Sequence, residues 1–196
     1  MMSHPLNDMT GYILAGGKSS RMGMDKGLMQ LNGQPIIKYV ITQLQPVVHK
    51  LVIVSSNPEY KKFGIEVIAD LVKEHGPAGG IYTALNHSDS AINFIVSCDM
   101  PFITTAGMQY IVQQQAQSQI ILPMHEQKLE PLFGVYSKAC LKKWLTLIEQ
   151  GTFKLQDMVV QFDLKKIQVD NNNLFTDPFF MNINTKTDLE KAINLT

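Results

Sequence analysis

Tyr12-Ile-Leu-Ala-Gly-Gly-Lys-Ser-Ser-Arg-Met-Gly-Met-Asp-Lys26 is an apolar run that halts at a glycine pair and passes into a cationic loop. Tyr12 to Ala15 has the composition of a buried strand, and Gly16-Gly17 ends it. Glycine tolerates positive φ and has no Cβ, so successive backbone N–H groups there can turn inward and cradle phosphate oxygens. Lys18, Arg21 and Lys26 then bring positive charge to where phosphate would sit. Strand, glycine turn and cationic loop in that order describe a nucleoside triphosphate site. Two familiar phosphate loops are excluded by spacing. A Walker A loop would need its first glycine where Tyr12 stands, and the dinucleotide fingerprint would need glycine where Lys18 stands.

Outward from this stretch, short β-rich runs alternate with amphipathic runs of helical length. Strands are expected over residues 11–15, 50–55, 66–69, 93–97, 119–123 and 132–136, and helices over 35–44, 80–87, 104–117 and 137–149. Near-continuous apolar runs such as Leu51-Val-Ile-Val and Phe94-Ile-Val-Ser suit strands covered on both faces. The expected fold class is therefore α/β: a doubly wound, mostly parallel sheet with helices on both faces. Pro35, just after Gly33, fits a helix start. Beyond Gly151 the periodicity weakens; a short helix over 153–160, a strand over 165–169, a turn at Asn171-Asn-Asn173, an edge strand over 179–181 and a last helix over 187–193 are expected. No repeat or linker interrupts the chain, so residues 1–196 read as one domain with a short flexible start, 1–9.

Bulk properties narrow the function classes. Seventeen basic and seventeen acidic side chains cancel, so the chain lacks the basic excess of a nucleic-acid or membrane surface. Anionic substrates must then be met by a local cluster of cations. Cys98 and Cys140 lie in different predicted elements and read as packed thiols rather than a disulfide or metal pair. Residues 1–9 lack a basic start and an apolar core, and no run approaches the ~18 apolar residues of a membrane span, which points to a cytoplasmic protein. The five histidines show no metal-binding spacing.

Other chemistry-bearing residues stand at strand ends, where open α/β sheets bind ligands. Asp99 follows the strand 93–97; facing a triphosphate it would suit Mg²⁺, which takes one or two carboxylates plus phosphate oxygens, and otherwise it would cap the following helix. Asp70 closes the strand 66–69 and by itself reads as a turn residue. Asn182 and Asn184 have period-two spacing, so on a strand their amides would share a face and offer donors and acceptors together.

The stretch Leu14-Ala-Gly-Gly-Lys-Ser-Ser-Arg-Met-Gly-Met-Asp-Lys26 resembles the L-A-G-G-x-S-x-R-M-G-x-D-K loop of molybdenum cofactor guanylyltransferases. Gly33-Gln-Pro35, Gly76-Pro-Ala-Gly-Gly80, Cys98-Asp-Met-Pro-Phe102, Glu130-Pro-Leu-Phe-Gly-Val-Tyr136 and Asn182-Ile-Asn-Thr-Lys-Thr-Asp188 match further segments in order. The resemblance implies transfer of GMP from GTP to the terminal phosphate of molybdopterin, with Mg²⁺ as cofactor. It implies that Leu14, Ala15, Gly16 and Gly17 meet the nucleotide, that Arg21 and Lys26 face its phosphates, and that Asp99 holds the metal. It implies that Asp70 holds the guanosine, and that Asn182 and Asn184 lie on the molybdopterin side. A polar contact to the nucleoside, commonly Asn in the family, falls at Ser55 or Asn57. Transient contacts with cofactor-biosynthesis proteins and apo-molybdoenzymes are implied as well. The chain departs from the usual Gly-Pro-Leu-Ala-Gly by one position at Gly76–Gly80. A related cytidylyltransferase and a non-catalytic nucleotide-binding module are the competing readings. Gly16-Gly17 and Asp25 favour the guanylyl branch, and retention of Arg21, Lys26 and Asp99 favours catalysis.

Overall fold

Strand β1 (Met9–Leu14) is buried along its whole length and runs up the middle of the main sheet. The computed structural model describes residues 8–16, 25–72, 75–114 and 117–195. A short hairpin, β2 (Gln30–Leu31) and β3 (Gln34–Pro35), leads into α1 (Ile36–Leu44), followed by β4 (Lys50–Val54) and β5 (Glu66–Ile68). Asn32 and Gly33 both take positive φ between β2 and β3, the conformation a two-residue hairpin turn requires. Helix α2 (Gly76–His87), β6 (Ile92–Ser97), α3 (Thr105–Gln113), β7 (Ile120–His125), β8 (Lys128–Leu129) and β9 (Phe133–Ser137) come next. Helices α4 (Leu141–Glu149) and α5 (Leu155–Val159), strand β10 (Leu164–Gln168) and helix α6 (Lys186–Ile193) follow.

The main sheet has the order β10-β7-β9-β6-β1-β4-β5, with β8 paired to β7. Strands β1, β4, β5 and β6 are joined by parallel ladders, as are β7 and β10; β9 runs antiparallel between β6 and β7. The expected doubly wound, mostly parallel sheet is therefore present, with one reversed strand inside it. Side-chain alternation divides the core. Ile13, Phe94 and Val96 face α1 and α3, while Tyr12, Leu14 and Ile95 face α2, α4 and α5. A small third cluster, Leu31, Ile36, Ile183 and Ala192, ties the hairpin and α6 to the start of α1. Both cysteines are buried free thiols, as expected. No helix among the described residues is long and apolar enough to cross a membrane.

Four local expectations change. Helix α2 starts at Gly76 rather than at position 80, because Pro77 suits the first helical turn and needs no N–H partner there. Helix α3 ends at Gln113, four residues before position 117. Residues 179–181 form a turn closed by Met181 N–H donating to the Pro178 carbonyl (2.8 Å), not an edge strand. Residues 182–184 are not a strand either, since Ile183 N–H donates to the Asp99 carbonyl (2.9 Å) and not to a strand ladder.

Candidate active site

After β1 the chain moves towards β4, and after β6 it moves towards β9 and β7, so the connections part between the carboxyl ends of β1 and β6. A crevice opens at such a point in an open α/β sheet, and ligands bind there. The ladder carries the two strand ends into it together. Cys98 N–H donates to the Leu14 carbonyl (3.1 Å), and Ala15 N–H donates to the Val54 carbonyl (2.9 Å). Leu14 and Ala15 are buried, whereas Gly16 is exposed. A Cβ on Gly16 would meet nothing within 4 Å, and Gly16 is not among the positive-φ glycines. Among the described residues, the missing side chain thus leaves space over the end of β1 instead of serving an unusual backbone conformation. Gly17 and Arg21 lie outside the described residues.

The loop re-enters at Asp25 and Lys26. Lys26 Nζ donates to Asn184 Oδ1 at 2.5 Å and stands 3.9 Å from Asp99 Oδ2. A cation from the β1 loop, a carboxylate from the end of β6 and an amide from the segment before α6 therefore meet at one place. Asp99 is held from its other oxygen by Ser97 Oγ (2.6 Å). It does not cap the next helix: α3 is capped by Thr104, whose hydroxyl accepts from Gly107 N–H. The capping alternative for Asp99 is thereby removed.

The two asparagines are not equivalent. Asn184 is on Lys26, while Asn182 Nδ2 turns back to the Phe180 carbonyl (3.1 Å). Asp70 sits apart from this trio. Its Oδ1 accepts from Val72 N–H (3.0 Å) and from the Thr83 hydroxyl of α2 (2.8 Å). Ser55 is buried with its hydroxyl accepting from Asn57 N–H, and the Asn57 amide is engaged by Glu59 N–H and Asp25. Both residues proposed for a nucleoside contact thus already serve the turn after β4.

The glycines at the start of α2 answer the departure at positions 76–80. A Cβ at Gly79 would stand 2.5 Å from the Val72 carbonyl, so the alanine usual in this segment has no room there. Gly76 takes φ +56° at the helix start, and Trp144 Nε1 donates to the Ala78 carbonyl (3.0 Å). The segment is built for close approach of α2 to β1 and to the turn after β5.

Sequence reading gives Asp25 no part beyond favouring one branch, and gives Tyr60 none. In the fold the Asp25 carboxylate accepts from Gly27 N–H (3.2 Å), Asn57 Nδ2 (3.0 Å) and the Tyr60 hydroxyl. Thirty-five residues separate Asp25 from Tyr60, so no local spacing could announce the pair. Tyr60 is fully buried, and burial, with Cys98 and Asp25 beside it, raises its phenol far above the usual range. Cys98 is pushed up too, chiefly by burial and then by Asp99 and Asp25, so it remains a neutral thiol.

Comparison with known proteins identifies the family. The profile of the MobA-like NTP transferase domain matches residues 11–163. A Flavobacterium johnsoniae protein named "Probable molybdenum cofactor guanylyltransferase" is 34% identical over 192 residues, covering 97% of this chain and 100% of its own length. A protein of the same name from Pelotomaculum thermopropionicum is 34% identical over 186 residues, covering 93% and 91%. The crystal structure of molybdopterin-guanine dinucleotide biosynthesis protein A from Archaeoglobus fulgidus superposes with a TM-score of 0.80 at 26% identity, over 95% of this chain and 97% of that one. A sheet with its crevice between β1 and β6, a glycine-ended first strand and near-full-length relatives all lead to one assignment: the chain belongs to the MobA-like NTP transferase family.

Proposed function

We propose that the protein transfers GMP from GTP to the terminal phosphate of molybdopterin, making the guanine dinucleotide and releasing pyrophosphate. The observation that carries this reading is the meeting of Lys26, Asp99 and Asn184 at the β1–β6 crevice. An oxygen of the acceptor phosphate attacks the α-phosphorus of GTP; the bond from that phosphorus to the bridging oxygen breaks, and pyrophosphate leaves with the electron pair. A phosphate nucleophile needs little help from a base, so the chain's task is to position the groups and offset charge. Lys26 and Arg21 supply positive charge to the phosphates, most strongly as charge builds on the leaving pyrophosphate. Leu14, Ala15, Gly16 and Gly17 line the nucleotide, where an unobstructed backbone can reach the base edge. Asp70, steadied by Thr83, keeps acceptor capacity for a ribose hydroxyl.

Asp99 fits Mg²⁺ by its chemistry. It is a hard oxygen donor, with 11% of its side chain exposed, at the crevice beside a cation that phosphate would engage. Mg²⁺ commonly takes one or two protein carboxylates and completes its shell with substrate oxygens, which suits a single Asp at this place. Bound there, Mg²⁺ would neutralise charge on the phosphate oxygens. Asn182 and Asn184 serve the acceptor side, Asn184 also steadying Lys26. The reading places the reaction in the cytoplasm, with transient contacts to cofactor-biosynthesis proteins and apo-molybdoenzymes.

The test is a label experiment with molybdopterin, Mg²⁺ and GTP carrying phosphorus label at either the α or the γ position. Label should enter the dinucleotide from the α position only, and γ label should leave in pyrophosphate. Release of γ label as inorganic phosphate, with none in a dinucleotide from the α position, would refute nucleotidyl transfer.

A further inference from the structure

Lys26 and Asp99 are each one residue away from a polar group turned inward: the half-buried Asp25 precedes Lys26, and the buried Cys98 precedes Asp99. The two groups come together around one side chain. The Tyr60 hydroxyl donates to Asp25 Oδ1, and Tyr60 and Cys98 share one core cluster, both lying against Gly27. Gly27 seals the contact from above. A Cβ on it would collide with the Tyr60 hydroxyl and stand 3.1 Å from Cys98 Sγ, so the loop turn rests directly on both. Tyr60 is itself locked in a 3-10 helix, Pro58–Phe63, whose N-cap is Asn57. The Asn57 amide works on both sides: its oxygen accepts from Glu59 N–H, and its nitrogen donates to Asp25 Oδ2 at 3.0 Å. Asp25 is thus held by three donors from two parts of the chain, and its carboxylate has little freedom to rotate.

We propose that Asp25, Tyr60 and Cys98 form a positioning node that sets the separation between Lys26 and Asp99 across the β1–β6 crevice. Loops are ordinarily the mobile part of a site, and a flexible lysine would not hold one place over a phosphate without such support. The node fixes the backbone on either side of the cation to the end of β6. It touches no substrate; Tyr60 and Asp25 act through Lys26, as positioning residues. A displacement of about 1 Å in a charge aimed at a developing anion can cost about 100-fold in rate, which is why such supports matter far from the chemistry.

The inference rests on the guanylyl-transfer reading for its kinetic test but not for its structural one. Crystal structures of the wild type and Tyr60→Phe would be compared, and Tyr60→Phe would be measured alone and combined with Lys26→Ala. In Tyr60→Phe the fold should persist while Lys26 Nζ leaves Asn184 Oδ1. Turnover should fall about tenfold with KM for GTP changed less than about twofold, and in the Lys26→Ala background the further loss should be under about twofold. Should Tyr60→Phe fold poorly, Asn57→Ser keeps a capping oxygen but deletes the donor to Asp25, and the same displacement is expected. Lys26 keeping its contact with Asn184 in these variants, or an equal loss of turnover in both backgrounds, would overturn the proposal. If the wild type transfers no GMP, the functional reading falls and the crystal comparison alone decides the node.

Discussion

Asp99 carries the most at the scale of single residues. Its Oδ1 is tied to Ser97 and its Oδ2 looks toward Lys26, so removing the carboxylate separates chemistry from stability. Asp99→Ala should lower turnover by about 100-fold or more, as the loss of a charge-stabilising group at a phosphoryl centre does. The lost bond to Ser97 should cost only about 1 kcal/mol of stability. Rates beside a thermal melt check this, and a variant that melts early but turns over normally would contradict the metal-holding role. Single residues also show where sequence reading stops. Asp99 is legible because it follows a strongly apolar run, where ligands gather, and Lys26 because it closes the cationic loop after the glycine pair. The tie of Asn184 to Lys26 is not, because the two are 158 positions apart and depend on Ile183 docking against Asp99.

Helix α2 is the element on which the most rests. It packs against β1 through Gly80, where a Cβ would lie 3.3 Å from Leu14, and against the turn after β5 through Gly79. Gly79→Ala forces a methyl group to within 2.5 Å of the Val72 carbonyl and should destabilise the fold by about 1–3 kcal/mol, as overpacking does. A urea titration reads that loss; an unchanged midpoint would show that the turn yields freely. The six strands expected ahead of position 137 are all present because their apolar runs have no helical period and are bounded by turn residues. The start of α2 is hidden because Gly-Pro and Gly-Gly ordinarily mark turns, and it takes the close approaches to Val72 and Leu14 to explain glycines inside a helix. The segment 179–184 misleads for a related reason. Its alternating residues look like a strand, but Phe179 and Ile183 are buried by packing against Phe133 and Leu31, not by a ladder. The reversal of β9 between β6 and β7 is equally invisible, since a buried strand reads the same in either direction.

The whole molecule buries several acidic groups in their neutral form, and this sets its response to alkali. Burial pushes Tyr12 up to about 12 and Cys140 up to about 12, and Tyr60, Tyr136 and Cys98 shift the same way. The folded chain then keeps protons that the unfolded chain releases from about pH 9 for thiols and about pH 10 for phenols. This contribution is complete below those values and is lost as pH rises towards the folded pKa, at about 1.4 kcal/mol per pH unit for each fully titrating group. Denaturant midpoints should therefore fall steadily between about pH 9 and 11, and a flat profile would mean these groups ionise without unfolding. At the same scale, the sheet brings β1, β6 and the segment before α6 to a single crevice, and the account stands on what that crevice transfers. The most direct test incubates the purified protein with Mg²⁺, molybdopterin and each of GTP, CTP and ATP separately, and follows dinucleotide formation. A site that matches one base with polar groups rejects the others by several orders of magnitude. GTP alone should give rapid product; turnover with CTP or ATP comparable to that with GTP would contradict the account.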